Sequence, residues 1–364
     1  MRQRWLVVII GICATFVGLW LLPLVSPPIV LNENRVLAEF PSLSTAVRNW
    51  RRFARQVTDA TQDQLPFRAP LIAYLNYARY SLGYSASPDV HVGQNGWLFF
   101  NAPKNYALLR GTVMPIPEDL DEWAKGLQER VNLVRKNGAE LVILVGPDKQ
   151  TIYPHLLPRG IAPAAMTGTD LFYSAARARA GFEPMIDVRS LLAEKAKAEP
   201  VYHALDTHWT SLGAYYAYTA LMEALGTQPL PRTSFREQIT SRGNDNKDLA
   251  NMLGIGSLTS MNSMVLRPTA RPSRRSDTLP SGERVIHTGA SGGRTLYVVH
   301  DSFGHALMPF LESHFSRIVT SSLDKEFPSD ESFKTHRPDI VLMIAVERNL
   351  SLRMPRLQRT GASS

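Results

Sequence analysis

The residues best suited to chemistry in this chain are a serine just past a strand and an Asp-x-His pair upstream of it. Tyr297, Val298 and Val299 read as the end of a buried strand. The turn His300-Asp301-Ser302-Phe303-Gly304 follows, and then an apolar segment over 306–311 that reads as a helix. A hydroxyl at such a turn stands clear of the sheet edge, and the free N–H groups of the next helix can face an oxyanion. A serine hydroxyl is a weak nucleophile alone, so it needs a base, and the base needs an orienting group. Asp206-Thr207-His208-Trp209 offers both. The carboxylate of Asp206 can meet Nδ1 of His208, leaving the other ring nitrogen to take a proton from Ser302. Each motif also has a plainer reading: Ser302 as a helix cap, and Asp206 and His208 as caps of the helix that follows them. Taken together in one α/β chain, they predict a Ser-His-Asp triad, with Trp209 walling the pocket and Thr210 or Ser211 capping the next helix.

The elements that must position these residues begin at about Pro117, where helix and strand start to alternate. Residues 118–136 carry Leu120, Trp123, Leu127, Val131 and Val134 on one face, and Asn137-Gly138 is a stop signal. The run 140–145, ELVILV, has the character of a buried parallel strand. Further strands are expected over 184–188, 294–299, 318–321 and 340–346. Helices are expected over 172–180, 190–197, 211–225, 306–315 and 330–335. That order predicts a three-layer α/β domain over residues 89–350 with a mostly parallel sheet. At its start, Asn95-Gly96 between apolar runs signals a hairpin. The stretch 267–293, rich in Arg, Pro, Ser and Gly, reads as an excursion or mobile loop.

Ahead of the domain, residues 5–25 contain no charged residue and match the ~20 residues that span a hydrocarbon core. Residues 1–28 are therefore expected to form a cytoplasmic stub and an uncleaved transmembrane anchor; a cleaved signal peptide is the competing reading. Arg2 and Arg4 before the span place the bulk of the chain outside the cytoplasm by the positive-inside rule. Residues 29–88 read as a helical neck, with Leu43, Val47, Trp50, Phe53 and Val57 recurring at helical spacing. Residues 351–364 read as a polar tail.

Composition narrows the chemistry. The formal charge is +8, with arginines concentrated over 267–284 and 348–359, which suits an anionic partner as well as it suits a solvated surface. The single cysteine, Cys13, rules out an intrachain disulfide and a multi-cysteine zinc site, and no HExxH spacing occurs. No basic-aromatic patch points to nucleic acid, so no nucleic-acid partner is expected. No metal and no cofactor is expected.

With those residues in view, the chain resembles the alginate O-acetyltransferase family, periplasmic alginate-acetylation proteins with an SGNH-hydrolase-like domain. The likeness rests on Asp206-Thr207-His208-Trp209-Thr210-Ser211-Leu212-Gly213 with the later Asp301-Ser302-Phe303-Gly304. Val92-Gly93-Gln94-Asn95-Gly96-Trp97, Pro147-Asp148-Lys149 and Asp248-Leu249-Ala250-Asn251-Met252 agree with it. Two positions depart from the family pattern: His300 stands where a small residue is usual, which could supply a rival base, and Lys247 replaces the usual glycine before Asp248. The resemblance implies that Ser302 is the nucleophile, His208 the base and Asp206 its orienter. It implies acetyl transfer to hydroxyls of an exported polysaccharide, anchored at the inner membrane, with the acetyl group supplied by a membrane-bound partner. The N–H groups of Ser302 and Gly304 are then expected to hold the oxyanion. Lys149, Trp209, Glu347 and Arg348 are candidates for substrate contact, with Lys149 and Arg348 gripping an anionic sugar; structural salt links compete with that reading. A carbohydrate esterase with the same triad, or a non-catalytic scaffold of a polysaccharide export complex, are the alternatives.

Overall fold

The computed structural model describes residues 38–63, 68–101, 105–180, 185–240, 247–269, 274–290, 293–325 and 327–350, with a few positions between 9 and 17. Most of the expected anchor over 5–25 and all of the tail over 351–364 lie outside the described residues. Among the described residues, no helix is long and apolar enough to cross a membrane.

In chain order the strands are β1 (Val90–Val92), β2 (Leu98–Phe100), β3 (Glu140–Gly146), β4 (Met185–Asp187), β5 (Phe235–Thr240), β6 (Ser263–Pro268), β7 (Arg274–Thr278), β8 (Arg284–Thr288), β9 (Thr295–His300), β10 (Arg317–Ser322) and β11 (Ile340–Val346). Seven of them form one sheet in the order β4-β3-β11-β9-β10-β8-β7. The strands from β4 to β10 run parallel, while β8 and β7 add an antiparallel edge. The sheet is therefore mixed. Its antiparallel edge corrects the reading of 267–293 as an excursion. The sequence carries no strand signal there, since β7, RRSDT, is exposed throughout and has no apolar residue, and only Val285 and Ile286 of β8 are buried.

Both faces of the sheet are buried, as the two-residue period of its central strands requires. In β11, Ile340, Leu342, Ile344 and Val346 join one apolar cluster, while Val341, Met343 and Ala345 join the other. The helices Pro117–Lys136 and Gly168–Ala180 cover the second face, and the helix Ser211–Ala224 covers the first. The Ser211–Ala224 helix is capped by Thr210, whose side chain accepts from the Gly213 N–H at 3.2 Å. The hairpin at Asn95-Gly96 joins β1 and β2, with both turn residues at positive φ, 55° and 74°. The expected helix over 306–315 is not formed as such. A 3₁₀ turn, Ser302–Ala306, leads into one short helix, Met308–Leu311, because Pro309 in its first turn cannot donate to the turn before it.

Ahead of the domain, helices occupy Leu43–Arg48, Trp50–Asp63 and Arg68–Ser81. The last of these is tied to the domain. Asn76 donates to the Leu253 carbonyl at 2.9 Å, and the Tyr80 hydroxyl donates to the Gly96 carbonyl at 2.8 Å.

Candidate active site

The parallel strands β3, β11 and β9 end together, with Val346 level with Gly146 and Ile344 level with His300. At this carboxyl edge, where α/β sheets keep their sites, Asp301 fastens the serine turn. Its Oδ1 accepts from the Phe303 N–H at 3.0 Å and its Oδ2 from the Val346 N–H at 2.7 Å. Asp301 thus caps the 3₁₀ turn and clamps it to the neighbouring strand. Phe303 goes inward and is fully buried, while Ser302 is exposed. Gly146 and Gly304 are needed for this packing. A Cβ on Gly146 would stand 2.7 Å from the Phe303 ring, and one on Gly304 would stand 2.5 Å from the His300 side chain.

The loop bearing the Asp-x-His pair is folded back on itself by a bridge between Tyr202 and Trp209. From below it is held by Lys149. That ammonium is buried and donates to the carbonyls of His203 at 3.0 Å, Ala204 at 3.1 Å and Asp206 at 2.7 Å. Burial pulls the Lys149 pKa down to about 7, against the opposing charges of Asp248 and Asp206.

These two fixed loops bring three side chains into line. His208 Nε2 lies 2.8 Å from Ser302 Oγ, and His208 Nδ1 lies 2.7 Å from Asp206 Oδ1. With the Nδ1 proton held toward Asp206, Nε2 is left to accept from the serine O–H. The row runs from a buried carboxylate through a part-exposed imidazole, 4 % and 32 % accessible, to the exposed hydroxyl. Burial alone would lower the His208 pKa; the hydrogen bond and charge of Asp206, with the charge of Asp248, outweigh it and raise the value. Asp206 is itself desolvated, but its bonds from His208 and from the Asp248 N–H hold its carboxyl below the usual range.

Asp248, read from the sequence only as part of a motif, belongs to this site. Its carboxylate accepts from the Thr207 N–H at 2.8 Å and from the Thr207 hydroxyl, and its Oδ2 lies 3.7 Å from His208 Nδ1. Its own N–H donates to Asp206 Oδ2 at 2.9 Å. Burial, with the nearby Asp206 charge, raises its pKa. Asp206, His208 and Asp248 are the one set among the described residues with ligand atoms close enough to hold a metal ion. Those atoms are already engaged with each other and with Thr207.

Several expected site residues stand elsewhere. Lys149 does not reach the open face, since its three donors are taken up by the loop. Glu347 is buried and accepts from the Asp148 N–H at 2.8 Å and the hydroxyls of Thr151 and Thr169 at 2.7 Å. Arg348 is drawn onto Asp148 and lies over the Phe100 and Phe303 rings, 5.4 and 5.7 Å from their centroids. Trp209 is a buried brace rather than a pocket wall: its Nε1 donates to the Phe303 carbonyl at 3.2 Å and its ring meets Phe303 at 5.0 Å. The Gly304 N–H already donates to the Asp301 carbonyl at 3.1 Å, so it is not free for an oxyanion. The two departures from the family pattern have local partners. His300 Nδ1 meets the Asp301 carbonyl at 2.7 Å, and Lys247 Nζ donates to the carbonyls of Gly256 and Thr259.

Comparison with known proteins gives a consistent neighbourhood. Residues 90–289 match the family described as ALGX, SGNH hydrolase-like domain, acetyltransferase AlgX. The chain is similar to a probable alginate O-acetylase AlgJ of Pseudomonas aeruginosa PAO1, 26% identical over 242 residues, covering 64% of this chain and 56% of that one. It thus spans little more than half the length of that relative. A second probable alginate O-acetylase AlgJ, from Pseudomonas putida KT2440, is 27% identical over 286 residues, covering 73% and 71%. Among solved structures, Bacillus cereus PatB1 with a sulfonyl adduct superposes with a TM-score of 0.56 at 15% identity, covering 73% of this chain and 96% of that one. A DHHW family protein of Eubacterium siraeum gives 0.55 at 16% identity, covering 74% and 96%. These likenesses are of fold.

Proposed function

The chain belongs to the SGNH hydrolase-like acetyltransferase family of AlgX, and on that premise we propose that it is an O-acetyltransferase acting on an alginate-like polysaccharide outside the cytoplasm. The observation that carries this is the unbroken row Asp206–His208–Ser302, with 2.7 and 2.8 Å contacts at the carboxyl edge of the sheet. The names of the two Pseudomonas relatives support alginate as the acceptor class.

In this reading His208 Nε2 takes the Ser302 proton while Oγ bonds to the acetyl carbonyl carbon. The bond to the donor oxygen then breaks, and that oxygen leaves with the proton from Nε2. A sugar hydroxyl next gives its proton to Nε2 and attacks the acetyl-enzyme, and Oγ leaves and regains its proton. Asp206 holds the imidazole in the needed tautomer and stabilises the imidazolium in both halves. The Ser302 N–H, at the first position of the 3₁₀ turn, serves the oxyanion. The acetyl donor is a membrane-bound partner, and residues 5–25 hold the chain at the inner membrane beside it, with the domain in the periplasm. Exposure of Ser302 favours one second reading, an esterase in which water replaces the sugar hydroxyl.

Intact-mass analysis after treatment with a sulfonyl or phosphonyl fluoride tests the triad. One adduct on Ser302, much slower in His208→Ala, is expected. Labelling that is unaffected by His208→Ala would refute the relay. Incubation of an acetyl donor with an oligouronate then separates transferase from esterase. An acetylated oligosaccharide is expected; free acetate as the sole product would favour the esterase.

A further inference from the structure

We propose that the cavity beside the Ser302 turn is the acceptor subsite, and that Arg267, Arg274 and Arg284 there bind the carboxylates of an acidic polysaccharide. This rests on the acetyl-transfer reading and adds to it the place and the chemistry of acceptor binding.

The cavity has a volume of about 530 Å³ and lies between β6, β7, β8 and the Ser302–Ala306 turn. That volume is within the ~300–1,000 Å³ of small-ligand sites. The three arginines line it together with His300 and His305, against one acid among the described residues, Glu312. Glu312 is already answered by Arg274 at 3.2 Å. Arg284 donates to a neutral partner, the Ser276 hydroxyl, at 3.1 Å. Arg267 is the least provided for: its Nε is buried with no hydrogen-bond partner among the described residues. It also stands directly opposite Arg236 across the β5–β6 pair. Like charges at such a position destabilise a strand pair, and a buried donor without an acceptor carries its desolvation cost uncompensated. Both costs fall when an anion is bound. A carboxylate suits this role because its two oxygens match the guanidinium fork.

The position suits acceptor delivery. His300 and His305 flank Ser302 in the chain, and their rings meet edge to face at 4.9 Å on the wall shared by the cavity and the nucleophile's turn. Burial, with the neighbouring His300, lowers the His305 pKa. A neutral imidazole at this wall can hydrogen-bond a sugar hydroxyl. Met308 and Pro309 give the cavity an apolar side suited to the C–H face of a pyranose.

The test is equilibrium binding to the full chain carrying Ser302→Ala, which removes acyl transfer from the readout. Titration calorimetry would compare a short oligouronate with a neutral glucan of equal length, at low and high salt. The oligouronate is expected to bind at least about tenfold more tightly, with affinity falling as salt rises. Adding Arg267→Gln or Arg284→Gln should weaken it about tenfold each, and Arg267→Lys less. Equal binding of the two oligosaccharides, or undiminished affinity in both glutamine variants, would overturn the subsite. If Ser302 labels normally while the oligouronate fails to bind, the subsite alone is wrong. If the oligouronate binds and Ser302 cannot be labelled, the acyl-transfer chemistry is wrong and the anion site stands.

Discussion

Replacing Asp206 by asparagine keeps the shape of the side chain and removes its charge. The imidazolium formed at His208 during acyl transfer sits 2.7 Å from Asp206 Oδ1. At an effective dielectric of about 20, unit charges at that separation attract by roughly 6 kcal/mol. The part-exposed imidazole, at 32 %, reduces this to about 4 kcal/mol, or about a thousandfold in kcat/KM. The pH profile should change as well. The His208 pKa is raised in the intact chain, and the base must be neutral to act. The acid limb of kcat/KM therefore lies above the ordinary imidazole value of about 6.5. Burial opposes that elevation, and the asparagine variant leaves burial less opposed, so its acid limb moves to lower pH. A structural cost follows from the same geometry. Asp206 accepts from the His208 N–H at 2.8 Å on one oxygen and from the Asp248 N–H at 2.9 Å on the other. An amide has one oxygen, so one of these N–H groups must face an NH₂, at about 1–3 kcal/mol. Because the Asp206 carboxyl is held below the usual range, the stability it contributes is complete above about pH 4 and is lost on acidification. The variant lacks that acid-labile share. Hydrolysis of a chromogenic acetyl ester from pH 5 to 9, with denaturant unfolding at two pH values, measures all three effects. A rate within tenfold of the parent, or an acid limb that stays in place, would refute the reasoning.

Asp248→Asn should shift the acid limb of the same profile in the same direction but by less, since its carboxylate lies 3.7 Å from Nδ1; a larger shift than that of Asp206→Asn would reverse their roles. Lys149→Met strips the donor from three loop carbonyls and should cost about 3 kcal/mol or more in chemical denaturation. It should lower kcat with little change in KM for an oligouronate; a lysine gripping the sugar would show the opposite split. Gly304→Ala drives a Cβ to within 2.5–2.7 Å of the His300 side chain, and at least about a tenfold loss of ester hydrolysis is expected as the serine turn shifts. Full activity there would mean that the turn does not need its present shape.

Periodicity carried much of the fold. The central strands β3 and β11 are visible in ELVILV and IVLMIAV because a strand buried on both faces is apolar at nearly every position. Asn95-Gly96 announced its hairpin because few residue pairs tolerate two positive φ values in succession. Asp206, His208 and Ser302 could be nominated from residue type and local setting alone. Nothing in the sequence measures the space between positions 208 and 302; the 2.8 Å contact depends on which strand ends the sheet order places side by side. Burial is equally out of reach for charged residues. Lys149, Glu347 and Arg348 have the composition of a substrate grip, yet each faces inward onto backbone or a partner side chain. The same holds for Asp248, whose place beside the imidazole comes from a loop folded under Thr207, and for β7, whose polar residues carry no period to read. A pattern of apolar residues reports which faces meet the core, because that is a property of the strand itself. The destination of a polar group is a property of what the remaining chain brings up against it, and only the packed structure contains that.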